Sequence, residues 1–202
     1  MSISTYAELQ TAIADFLDRQ DLTATIPTFI RLAEARMERD LSHWKQEKRA
    51  TASYDERYEL VPNDMIRITS LMHTDGDPIR VVSSVDMQKS RMAGEDTAGK
   101  PVAARLTAGE LELWPTPDEA YPVTMLYRAA VPKLSDVTTT NWILTDAPDA
   151  YLYGALAQSA PYLKDDARTN LWAALYQSAI DALNLQSKEA VSVGSPRIGV
   201  PK

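Results

Sequence analysis

Residues 123–163 read VTMLYRAAVPKLSDVTTTNWILTDAPDAYLYGALAQSAPYL, and the fold turns on a change of period inside this stretch. From Val123 to Val131 side chains alternate, with Val123, Met125 and Tyr127 on one face and Thr124, Leu126 and Arg128 on the other. Period two marks a strand, and apolar groups on both faces predict a central one. Pro132–Thr140 is a polar linker. Apolar residues then recur at helical spacing, which predicts helices over about Ala147–Leu163 and Asp165–Ser187. This region carries Trp142, Tyr151, Tyr153, Tyr162, Trp172 and Tyr176, more aromatic area than two short helices bury against each other. Trp172 and Tyr176 suit a core. Trp142, Tyr151 and Tyr153 open a helix just after the linker and are candidates for a subunit or partner interface, where aromatics are enriched.

Before the strands the chain is helical again. Thr5 and Glu8 have capping-box spacing, and Leu9, Ile13, Phe16 and Leu17 follow at helical intervals until the pattern fails at Arg19-Gln20-Asp21. A second helix starts near Pro27 and runs to about Trp44, with an apolar stripe of Ile30, Ala33, Met37 and Leu41. Its opposite face, with Arg31, Glu34, Glu38 and Arg39, forms mixed-sign pairs. From about Glu47 the period becomes two: Tyr58 and Leu60, Ile66 to Ser70, Ile79 to Val82, Val102 to Thr107 and Glu110 to Trp114 read as strands. Asp75-Gly76 and Ala108-Gly109 read as turns, Ser83–Met92 as a brief helix or irregular crossing, and Gly94–Pro101 as a mobile loop.

Helices, then strands, then helices describe an α+β protein. Two N-terminal and two C-terminal helices form a bundle, interrupted by an antiparallel β-sheet or sandwich insertion and followed by an extended tail. The expected boundaries are 1–46 with 141–188 for the helical domain, 47–131 for the insertion, 132–140 for the linker and 189–202 for the tail.

Composition narrows the function. Of 202 residues, 45% are hydrophobic and 24% charged, the profile of a globular chain with a real core. No apolar run reaches the roughly 20 residues a membrane span needs, and Met1–Glu8 has no signal-peptide pattern. Without cysteine there is no disulfide framework or thiolate metal site. A net charge of −7 argues against tight, specific nucleic-acid binding, though not against a wall past which DNA slides.

Catalytic patterns are missing. His43 and His73 are the only histidines, lie in different elements, and form no paired metal-ligand motif. Asp75 and Asp77 fit turn chemistry, and Asp165 and Asp166 fit a helix N-terminus. No Gly-x-Ser-x-Gly elbow or phosphate-binding Gly-x-x-x-x-Gly-Lys occurs among the seven glycines. The residues thus predict neither an enzyme nor a cofactor. The competing reading is a ligand-binding or enzymatic pocket in the β insertion, built on His73 with Asp75 or Asp77. Lys45, Lys48 and Arg49 form a small basic cluster after the second helix, suited either to that helix's C-terminal end or to a partner contact. The segment from Ser187 carries Lys188, Arg197 and Lys202 against Glu189 alone, a basic arm on an acidic body.

Several stretches resemble the head-to-tail adaptor (connector) proteins of tailed bacteriophages. They are Thr5-Tyr6-Ala7-Glu8-Leu9, Ala33–Leu41, Leu113-Trp114-Pro115-Thr116-Pro117, Thr140-Asn141-Trp142-Ile143-Leu144, and Tyr151–Leu156 continuing to Ala160–Asp166. The resemblance implies a structural protein of the virion neck, assembled in the host cytoplasm. It implies a homo-oligomeric ring, usually of twelve copies, below the portal protein, extending the DNA channel and docking tail, nozzle or tail-fibre proteins. Double-stranded DNA would pass without specific binding, no membrane would be involved, and acidic walls would let DNA slide. The portal-docking tail would comprise Val191, Val193, Pro196, Arg197, Ile198, Val200, Pro201 and Lys202. Another neck or tail-completion protein with the same helical body is the alternative within this class.

Overall fold

Helix α1 (Tyr6–Leu17) begins at the predicted capping box. The Thr5 hydroxyl accepts from the Glu8 N–H, and the Glu8 carboxylate accepts from the N–H groups of Ser4 and Thr5. Asp18, in the left-handed conformation, ends it. The structure, a computed structural model, describes residues 3–19, 21–93, 98–163 and 166–192. It divides into two units, one drawn from Met1–Trp44 and Val131–Lys202, the other from Lys45–Ala130.

In the helical unit α1 is followed by α2 (Ile26–Asp40), and later by α4 (Trp142–Asp146), α5 (Pro148–Leu163) and α6 (Asp166–Val191). Helix α3 (Ser84–Ala93) lies in the other unit. Helix α5 touches α1, α2, α4 and α6 and is buried on nearly all sides. Its sequence explains why: Ala150, Gly154, Ala155, Ala157, Ser159 and Ala160 leave room for neighbouring helices to close in. A Cβ at Gly154 would stand 3.1 Å from Tyr176 Cδ2, 3.2 Å from Ala33 Cβ and 3.3 Å from Met37 Cε, tighter than ordinary carbon contacts. The helix predicted over about Ala147–Leu163 is therefore the enclosed centre of the bundle. The stripe Ile30, Ala33, Met37 and Leu41 is buried, as are Leu9, Ile13 and Leu17, whereas Phe16 is exposed.

One boundary differs from the sequence expectation, and one short helix, α4, is additional to it. Helix α2 stops at Asp40, short of Trp44, because side chains of α6 supply an alternative to another helical turn. Asn184 donates to the Asp40 carbonyl and accepts from the Ser42 N–H, while the Ser187 hydroxyl accepts from the Trp44 N–H. At the other end, Asn141 caps α4 by accepting from the Leu144 N–H, and the backbone leaves the helical region at Ala147, ahead of Pro148.

The β unit holds β1 (Glu47–Tyr54), β2 (Tyr58–Leu60), β3 (Met65–His73), β4 (Arg80–Val81), α3 (Ser84–Ala93), β5 (Ala103–Thr107), β6 (Glu110–Trp114) and β7 (Tyr121–Ala129). One sheet has the order β1-β7-β3 with β7 central, as its two-sided apolar pattern predicts. The other has the order β2-β6-β5-β4, and its β4–β5 pair is parallel where the sequence expectation was antiparallel throughout. The chain reaches β4 by changing sheets: Ile79 N–H still bonds the Leu71 carbonyl of β3, whereas Arg80 N–H bonds the Val102 carbonyl beside β5. Inward residues of both sheets, including Leu71, Ala104, Leu111, Leu113, Val123, Met125 and Tyr127, share one core. Ala108 and Gly109 both have positive φ (45° and 93°), which closes the β5–β6 hairpin in two residues.

Candidate assembly interface

The longest helix has two apolar faces. Trp172, Tyr176, Ala179, Ile180 and Leu183 of α6 are buried in the bundle. Tyr176 donates to Asp40 (3.1 Å), and Arg36 stacks over its ring at 4.4 Å while pairing with Asp40. Roughly a third of a turn away, Leu171, Ala174, Leu175, Ser178, Ala182 and Leu185 recur at intervals of three and four residues, and all are exposed. The leucines expose 59%, 37% and 57% of their surface. Gln177, Asp181, Asn184 and Lys188 occupy the remaining, polar arc. A helix in a finished monomer needs one apolar stripe; a second, made of leucines separated by Ala and Ser, is shaped to receive another helix.

The linker is held to the same unit by a buried carboxylate. Glu34 stands next to Ile30 and Met37 on the inward side of α2, not on the polar face that charge pairing suggested. Its Oε1 accepts from the Leu134 N–H (2.7 Å) and from the Tyr151 hydroxyl (3.3 Å). Asn141 donates to the Tyr151 hydroxyl (2.7 Å) and to the Pro132 carbonyl (2.8 Å), and Thr139 accepts from the Tyr6 N–H. The other Glu34 oxygen has no hydrogen-bond partner among the described residues, and Glu34 lines a cavity of about 20 Å³ together with Met37, Glu38, Val131, Lys133, Ile143 and Tyr151. Burial raises the Glu34 pKa, against the opposing pull of the Leu134 and Tyr151 hydrogen bonds and the charges of Lys133 and Arg31. The sequence signal for Glu34 was present: four residues after Ile30 and three before Met37, it falls within the stripe.

The expected interface residues separate. Tyr151 is a correction: it is enclosed by its own unit and held by Asn141 and Glu34, so it offers no surface to a partner. Trp142 and Tyr153 are half-buried against the helical core, with the Trp142 ring 4.8 Å from His43. Lys45 lies on a short turn, Trp44–Gln46, and Lys48 and Arg49 lie on β1. Adjacent strand positions face opposite ways, so Lys48, paired with Asp64 at 2.6 Å, and Arg49 do not act as one cluster. Val191 is exposed at the end of α6. Val193, Pro196, Arg197, Ile198, Val200, Pro201 and Lys202 lie outside the described residues, as do the loop positions Gly94 to Thr97, and Asp165.

The pocket reading loses its centre. His73 is buried, with Nε2 2.7 Å from the Pro101 carbonyl and its ring edge-on to Tyr121. Asp75 and Asp77 are exposed and tied to Lys100 instead. Hydrogen bonding from Lys100 holds the Asp75 carboxyl below its usual range. Among the described residues no group of three His, Cys, Asp or Glu side chains could hold a metal, and no described helix is long and apolar enough to cross a membrane.

Against known proteins, the sequence model of the SU10 adaptor protein family matches residues 4–198, nearly the full chain. No curated protein matches it.

Proposed function

This chain belongs to the SU10 adaptor protein family, a family of phage head-to-tail adaptors, and on that premise we propose that it forms a ring of twelve copies below the portal of the filled capsid. The family is structural and not enzymatic, belongs in the virion neck and works with portal and tail components. In the proposed ring the helical unit builds the wall and double-stranded DNA crosses the lumen. The segment from Val191 to Lys202 engages the portal, and the β unit meets tail, nozzle or tail-fibre proteins.

The observation that carries the ring is the second apolar stripe of α6. A cyclic assembly uses a heterologous contact, so each subunit must present two different faces, and this stripe supplies one. Trp142 and Tyr153, half-buried at the bundle surface, are candidates for the face that receives it. The charge of −7 per chain suits a wall that repels DNA and lets it slide.

Light scattering or mass photometry of the purified chain, alone and mixed with the portal ring of its own phage, tests the reading. A gain of about twelve subunit masses on the portal is the expected result. Leu171→Glu combined with Leu175→Glu, both on exposed positions, should leave the monomer folded by circular dichroism and abolish the added mass. Full assembly of the doubly charged variant would remove α6 from the interface; no association of the wild type at any salt concentration would remove the ring.

A further inference from the structure

The three-stranded sheet has two outer strands, and only one of them is left unguarded. On β7, the Pro122 carbonyl accepts from the Thr74 N–H and Ala130 N–H donates to the Asp64 carbonyl. Even-numbered positions of that strand therefore direct their backbone groups toward the β3 side, and odd-numbered positions serve β1. The register sets Tyr127, Met125, Val123 and Tyr121 opposite Lys48, Ala50, Ala52 and Tyr54, so these residues of β1 spend their backbone groups on β7. By alternation the N–H and C=O of Glu47, Arg49, Thr51 and Ser53 point out of the sheet at its free edge. All four residues are exposed, and among the described residues none of them bonds to another element there.

Free edges are ordinarily blunted by brevity, bulges, proline or charge. Strand β3 is interrupted by register shifts at Met65/Arg67 and Ile68/Ser70. Its last residues are covered by the returning chain, since Ile79 N–H bonds the Leu71 carbonyl and His73 N–H bonds the Asp77 carbonyl. In the four-stranded sheet the outer strands β2 and β4 run for only three and two residues. Strand β1 runs for eight residues, about 27 Å, in unbroken register and without proline. Its charges occupy the first three positions: Lys48 is paired with Asp64, Glu47 and Arg49 have opposite signs, and 50–54 carry none. On the inner face, beside the buried Met125 and Val123, β1 places only Ala50, partly buried, and Ala52, exposed. The core of the β unit is thus closed on this side by two methyl groups.

We infer that β1 accepts an added strand from a different polypeptide, bonded to Glu47, Arg49, Thr51 and Ser53, whose alternate apolar side chains cover Ala50 and Ala52. The open backbone groups specify an extended chain, and the alanines specify larger apolar residues on its inward side. The opposed charges of Glu47 and Arg49 call for no net charge. A second copy of β1 fits poorly. The antiparallel register that uses all four open positions sets Ala50 against Ala50 and Lys48 against Ala52, which adds almost no apolar contact. It also brings two Arg49 side chains to diagonal positions, where like charges oppose pairing. The edge belongs to the β unit alone, so a monomeric chain presents it equally and failure of the ring reading leaves it standing.

The full-length chain is used to select binders from a display library of random twelve-residue peptides. The expected result is enrichment of sequences with apolar residues at every second position. A selected peptide should slow amide exchange at Arg49, Thr51 and Ser53 far more than at Ala50 and Ala52, which are already bonded to β7. Thr51→Pro removes one open donor at a position whose N–H leaves the sheet, where proline is tolerated, and should weaken binding about tenfold or more. Ala52→Lys, at an exposed position, should weaken it comparably with the melting temperature retained, and so decides the matter if the proline variant fails to fold. No enrichment above background, enrichment without the alternation, or binding indifferent to Ala52→Lys would overturn the inference. So would slowing of the same amides with rising protein concentration in the absence of peptide, which would assign the edge to a second copy.

Discussion

Replacing Glu34 separates its hydrogen bonds from its charge. In Glu34→Ala the buried Leu134 N–H loses its acceptor, while the Tyr151 hydroxyl keeps the Asn141 amide. A buried donor left unsatisfied costs about 1–3 kcal/mol, and removal of a carboxylate that burial disfavours returns part of it. A net loss of about 1–2 kcal/mol corresponds to roughly 2–8 °C in a chain of this size. Glu34→Gln retains an acceptor at Oε1 and resembles the protonated acid. The sign of the pH dependence follows from the raised pKa: between the unfolded value of about 4.3 and the higher folded value, the native state holds more protons. Stability contributed by Glu34 is therefore present at low pH and lost as pH rises through that window. Glu34→Gln should match wild type near pH 4 and equal or exceed it at pH 7. Thermal melting across pH 4–7, with hydrogen exchange at Leu134, reads both effects; that amide should exchange on the order of tenfold faster in Glu34→Ala alone. If Glu34→Gln is as unstable as Glu34→Ala at pH 7, with no convergence toward wild type at pH 4, the assignment of Glu34 as a buried, costly acceptor is wrong.

At Gly154 a methyl group meets three side chains at 3.1–3.3 Å, so an overpacking cost of about 1–3 kcal/mol opposes a helix-propensity gain of about 1 kcal/mol. Gly154→Ala should melt at or below the wild-type temperature and Gly154→Leu far below it, and a calorimetric increase for Gly154→Ala would show that the helices have room. Ala108, at φ 45°, holds a conformation that Asn and Gly adopt more readily, so Ala108→Asn should stabilise the β unit by about 1 kcal/mol in urea unfolding monitored at the β5–β6 hairpin.

Much of the fold was legible because local chemistry and global packing agreed. Thr5 and Glu8 give the start of α1, the two-sided alternation of 123–129 gives the central strand, and Ala108-Gly109 gives a tight turn. The end of α2 was hidden because Asn184 and Ser187, more than 140 positions away, satisfy the groups exposed there. Strand β1 was hard to see as a separate element because most of its residues are exposed on both faces, so no apolar alternation marks it. The parallel β4–β5 pair depends on a change of sheet between Ile79 and Arg80, which two adjacent residues do not encode.

The aromatic surplus that first suggested assembly has a different destination from the one its composition implied. Helix α5 is built from small residues, so α2 and α6 approach closely enough to enclose Tyr151 and Tyr176, while Trp172 is buried from α6. Small side chains at the centre thus free the bundle to take large ones around it. On α6 itself what remains exposed is aliphatic: Leu171, Leu175 and Leu185, spaced by Ala and Ser along a helix of 26 residues, about 39 Å long. Leucines at this spacing form a continuous ridge for a neighbouring helix, whereas scattered aromatics would give isolated anchors. The case for a ring therefore rests on α6 more than on the aromatics at the start of α5. Charging Leu171 and Leu175 should accordingly disrupt assembly where Tyr151→Phe, which removes only a buried hydroxyl, should leave it intact.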